Sequence, residues 1–93
     1  MEQIEPHVLQ LAENLDLAAA ASLKAEILGM RGAPLALDAS RVQRIGGLCL
    51  QVLLAARATW ITDDQPFSVA EPSPDFQTCL ERMGAGDLIE GIA

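Results

Sequence analysis

The chain is poor in rings, in basic charge and in histidine, and each shortage removes a class of function. It has no tyrosine, one tryptophan and two phenylalanines. Trp60, Phe67 and Phe76 are too few for a stacking platform that binds bases or sugars. Six Lys and Arg stand against thirteen Asp and Glu, a formal charge of −7. That balance argues against nucleic acid or an anionic membrane as partner and favours a partner with a basic face. The one histidine, His7, has no companion at metal-ligand or triad spacing. The two cysteines, Cys49 and Cys79, also lack metal spacing and read as buried, reduced thiols. No run is long enough for a membrane span, so direct membrane insertion is not expected. The start, MEQIEPH, is acidic and has no apolar signal core, so a cytoplasmic protein is expected.

What the chain does have is aliphatic mass. Half of its 93 residues are hydrophobic and a fifth are charged, the balance of a globular domain. The length suits one domain over residues 1–93, with a core built from Leu, Ile, Val and Ala. The organising stretch is Leu35 to Trp60, LALDASRVQRIGGLCLQVLLAARATW. Leu35–Asp38 follows Pro34 as a strand covered on both faces, and an almost wholly apolar helix runs from about Gly46 to Thr62. Such a helix is expected to be mostly covered by the rest of the domain.

Around it, Gln3 to Leu11 reads as extended, with a bend at Pro6 and His7 and apolar content from Val8, Leu9 and Leu11. Asp16 is placed to N-cap an alanine-rich helix, with Gly29 and Gly32 at its exit. Phe67–Ala70 alternates as a strand does. Ser73 and Pro74 open a third helix with Phe76, Leu80 and Met83 on one stripe, and Leu88 and Ile89 pack back as a tail. Strands alternating with helices imply an α/β sandwich with a largely parallel sheet.

The succession ENLDLA, LALDAS, VQRIGG, LCLQVLLAARATW and FSVAEPS resembles the STAS domain of the anti-sigma-factor antagonists, from about Val8 to Leu88. The run Leu48-Cys-Leu-Gln-Val-Leu-Leu54, followed by a tryptophan, is similar to small stand-alone STAS proteins associated with bacterial chemotaxis clusters. The resemblance implies a non-catalytic signalling module whose partner is an anti-sigma factor, a switch-protein kinase or a chemotaxis component. It also implies a regulatory turn of the form Asp-Ser-Ser/Thr-Gly-Leu. Counted from Asp38, the acceptor hydroxyl falls on Leu48, with Gly46 and Gly47 before it, Cys49 at the glycine and Leu50 at the leucine. Leucine cannot accept phosphate, so the family's phosphorylation switch is not expected at this turn.

The turn also has a reading independent of the family. Paired glycines permit positive φ and close backbone approach, and they leave helix N-terminal amides uncovered. Partner contact is therefore expected at Gly46, Gly47, Leu48, Cys49 and Gln51, with Arg41 and Arg44 beside them. Cys49, in the helix's first turn, sits where the dipole lowers a thiol pKa, although a small buried apolar residue is the competing reading. Asp16, Asp38, Ser40 and Ser73 are expected to satisfy backbone groups at caps and turns. No nucleophile with a base and no cofactor fingerprint is found. The alternative is a structural subunit, such as the small STAS component of a lipid-transport ATPase. Self-association into a homodimer is compatible with either.

Overall fold

The computed structural model describes residues 7–86. Nine short elements follow one another: β1 (His7–Gln10), β2 (Asn14–Leu15), a 3-10 turn (Leu17–Ala19), α1 (Ala20–Leu28), β3 (Leu35–Asp38), β4 (Arg44–Ile45), α2 (Gly47–Thr62), β5 (Phe67–Ala70) and α3 (Pro74–Arg82). β3 lies between β1 and β5, parallel to both; β2 and β4 form a separate parallel pair. The α/β architecture with parallel strands is as the alternating pattern implies. The small β2–β4 pair is an addition to it. The bend expected at Pro6 and His7 falls partly outside the described residues, and His7 itself opens β1. The tail at Leu88 and Ile89 lies outside them too.

The central strand departs from expectation. Leu35 and Leu37 are fully buried, but Ala36 and Asp38 are only half-buried. Register explains this, because Val8, Ala36 and Ser68 form one row across the sheet, and Gln10, Asp38 and Ala70 another. Among the described residues that face stays open, with Val8 66% exposed. Helices thus cover one side of the sheet, and the opposite side alternates toward water as a half-buried sheet does.

Each helix begins and ends for an identifiable reason. The Asp16 carboxylate accepts from the Ala19 amide at 3.1 Å, capping the 3-10 turn that leads into α1. After α1 the chain turns through Gly32, whose φ of +100° favours glycine. α2 stops at Asp63, and Asp64 follows in the left-handed region with φ 57°. Arg31 donates to both carboxylate oxygens of Asp63, at 2.7 and 3.0 Å, and so ties the end of α2 to the loop after α1. At α3, the Ser73 hydroxyl accepts from the Phe76 amide and donates to the Val42 carbonyl, with Pro74 at the first helical position. Phe76 and Leu80 are buried, but α3 ends at Arg82, which leaves Met83 at the cap and 39% exposed rather than on the buried stripe.

The core is aliphatic around a single indole. Trp60 is fully buried, its ring N–H donates to the Ala33 carbonyl at 2.7 Å, and it meets Phe67 at 6.2 Å between ring centres. The hydrogen bond removes the cost of burying the ring nitrogen, so the whole apolar area of the side chain counts toward stability.

Candidate functional site

The start of α2 is held against β2. The Gly46 amide donates to Leu15 O at 2.9 Å, and the Gly46 carbonyl accepts from the Leu50 amide at 3.0 Å. Gly46 is extended (φ −90°, ψ 170°) and Gly47 is the first helical residue, so neither has the positive φ that paired glycines permit. What the pair supplies is space. A Cβ at Gly47 would meet nothing within 4 Å, and one at Gly46 only Leu15 O at 3.6 Å. No side chain caps the helix. The first-turn amides have no acceptor within their own helix.

The residues singled out from the sequence divide into three sets. Leu48, 46% exposed, and Gln51 stand in the open on α2 beside the glycines. Arg44 is the exposed residue of β4, two positions before Gly46. Cys49 is a correction: it is 1% exposed and its thiol donates to Asp16 O at 3.2 Å, so no partner reaches it. Burial, with the nearby Asp16 charge, pushes its pKa up rather than down. Arg41 is exposed but turns elsewhere, to a hollow of about 340 Å³ at the carboxyl end of β1 that it lines with Gln10, Glu13, Ser22 and Glu26.

Asp38 and Ser40 form a local turn. Asp38 accepts from the Ser40 amide at 3.0 Å and from its hydroxyl at 2.7 Å, and these bonds hold the carboxyl below the usual range. His7 begins its strand opposite Leu35, three residues from Asp38, which at about 3.3 Å per residue separates them by about 10 Å. The three do not meet as a triad. Among the described residues no group of three or more His, Cys, Asp or Glu is placed to hold a metal ion. Nor is any described helix long and apolar enough to cross a membrane.

Sequence reasoning placed Gln51 and Leu48 on the surface beside the turn but missed the hollows that α1 forms beside them. α1 and α2 leave an open groove of about 390 Å³ between them, lined by Ala20, Ala21, Lys24, Leu48, Val52 and Ala55, with Gln51 at its rim. A second hollow of about 120 Å³ shares Lys24, Val52 and Ala55 with it and extends past Leu28 to Thr59. The apolar helix is therefore not mostly covered, and its uncovered arc joins the glycine turn to this groove.

A parallel α/β domain with its helices on one face of the sheet, and an uncapped helix start beside an apolar groove, has the features of a docking scaffold. The family model described as "Mlab, STAS domain" matches residues 2–90, and the chain belongs to the STAS family. Domains of this family generally mediate protein–protein interactions and are generally non-catalytic. A comparison with curated proteins finds no match.

Proposed function

We propose that this chain, as one domain over residues 1–93, is a non-enzymatic interaction module in bacterial signal transduction. It acts in the manner of an anti-sigma-factor antagonist or a chemotaxis-associated STAS protein in the cytoplasm. Its partner, an anti-sigma factor, a switch-protein kinase or a chemotaxis component, is met at Gly46, Gly47, Leu48, Gln51 and Arg44. The observation that carries this reading is Leu48, a large apolar side chain 46% exposed at an uncapped helix start. Leucine offers no hydroxyl at the position the family resemblance gives to the phosphoacceptor, so binding is constitutive or controlled on the partner's side.

The test is affinity capture from native lysate with wild type and Leu48→Glu, with circular dichroism to establish that both are folded. A signalling protein held by wild type and lost in the variant supports the reading. A second reading, a structural subunit of a larger assembly such as a lipid-transport ATPase, draws support from the open outer face of the sheet at Val8, Ala36 and Ser68. Transporter subunits retained by both proteins would move the interface to that face.

A further inference from the structure

The hollow that Arg41 lines shares no residue with the groove beside the glycine turn. Its volume of about 340 Å³ falls in the range of small-molecule sites, about 300–1,000 Å³. Leu11, Ala12 and Glu13 follow β1 into it, and Arg41 reaches it from the loop after β3. It therefore lies beyond the carboxyl ends of these strands, where open parallel sheets receive ligands.

The floor and the rim differ in chemistry. Leu11, Leu15 and Leu23 are buried beneath the hollow and make an aliphatic floor. The charged rim comes from three parts of the chain: Glu13 after β1, Glu26 on α1 and Arg41 after β3. Among the described residues no ion pair joins Arg41 to Glu13 or Glu26. The Asp38 charge also acts on Arg41, but its carboxylate accepts from the Ser40 amide and hydroxyl. Opposite charges held around one hollow without pairing leave room for a ligand that carries both signs.

We propose that this hollow binds a free basic amino acid such as lysine or ornithine. The ligand carboxylate meets the Arg41 guanidinium, whose fork takes carboxylates in a bidentate way. Its two ammonium groups meet Glu13 and Glu26, and its methylenes lie on the leucine floor. One anion and two cations are the inverse of the rim's own charges. The formal charge of −7 draws such a cation toward the domain. A lysine inside a protein chain has no carboxylate for Arg41, and one at a chain's end has lost its free α-amine. A nucleotide fits less well, because its phosphates would face two carboxylates and no ring lines the hollow to stack on its base. The site is independent of the partner contact at the glycine turn.

The experiment titrates the full isotope-labelled chain with L-lysine and follows the backbone amide signals by nuclear magnetic resonance. Saturable shifts are expected around Leu11, Glu13, Ser22 and Arg41. Norleucine, which lacks the side-chain ammonium, and cadaverine, which lacks the carboxylate, should each bind about tenfold more weakly. Glu13→Gln and Glu26→Gln should each weaken lysine about tenfold, and Arg41→Gln should lower lysine to the level of cadaverine without weakening cadaverine. All three side chains are exposed, and the dispersion of the amide signals establishes that each variant is folded. No saturable shift at millimolar lysine overturns the proposal, as do shifts confined to another surface. Norleucine or cadaverine binding as tightly as lysine overturns it too. A peptide ending in lysine that binds as well as the free amino acid would make the ligand a protein end and overturn it as well.

Discussion

Replacing Gly47 with alanine separates two reasons for carrying glycine at the start of a helix. If the backbone required glycine, alanine would be strained. If only the space matters, alanine would stabilise the fold and disturb whatever uses that space. Gly47 is helical and its missing Cβ faces nothing within 4 Å, so the geometry predicts the second. Removing glycine's freedom from the unfolded chain at a compatible position stabilises by about 0.4–1 kcal/mol. For a domain of this size that raises the melting temperature by about 2–8 °C. Gly32→Ala is the matched control: it also meets nothing within 4 Å, but its φ is +100°. The left-handed penalty there should cost about 1–2 kcal/mol. Thermal and urea unfolding, followed by circular dichroism, measure both. Partner capture on the same proteins should weaken with Gly47→Ala and remain with Gly32→Ala. A lower melting temperature for Gly47→Ala would refute the geometric argument, and undiminished capture would remove Gly47 from the interface.

Three further expectations concern stability and reactivity. Ser73→Ala removes both the cap on Phe76 and the hydroxyl that donates to Val42; a loss of about 1–2 kcal/mol in urea unfolding is expected, and an unchanged midpoint would contradict it. Cys49 is buried and Cys79 only half-buried, so a thiol reagent should label Cys79 in the native protein and Cys49 only as the protein opens; equal rates would show the thiol of Cys49 to be accessible. The Asp63 carboxyl is held below its usual range by hydrogen bonds from Arg31. Its contribution is therefore present above the ordinary Asp value of about 3.9 and is lost as pH falls through the lower folded-state value. Asp63→Asn should show a smaller fall in melting temperature on acidification below about pH 4, and since the pair is exposed, salt should shrink the difference.

Much of the fold was legible because its signals are local. Ser73-Pro74 fixes the start of α3, Asp63-Asp64 the end of α2, and alternating strands and helices the parallel sheet. The β2–β4 pair was not legible, because two strands of two residues each show no periodicity. They exist through long-range bonds such as those from Gln43 and Arg44 to Glu13 O, and from Gly46 to Leu15 O. The open face of β3 was hidden for a different reason. In Leu-Ala-Leu the middle residue is apolar whether it meets a helix or water, so its single methyl carries no information about which. Cys49 was read correctly as a buried thiol but wrongly as a partner contact, because its place beside the glycine turn is visible in the sequence, whereas what packs over it is not.

The groove was hidden by the way α2 is written. Its buried residues Cys49, Leu53, Ala56 and Trp60 fall at i, i+4, i+7 and i+11, while Leu48, Val52, Ala55 and Thr59 along the groove repeat the same spacing one residue earlier. One residue is a rotation of about 100°, so the two stripes lie side by side and together leave the helix apolar on most of its circumference. No amphipathic pattern survives to say which stripe is the core. Bulk separates them after folding, because only the stripe that ends in Trp60 fits beneath α1 and against Phe67. The other is left at the surface between Lys24 and the glycine turn. A helix that served stability alone could carry polar residues at the exposed Leu48 and Ala55 at little cost, whereas Val52 also packs against the core. Leu48, beside the glycine turn, is therefore the residue of this stripe that the proposed partner contact uses.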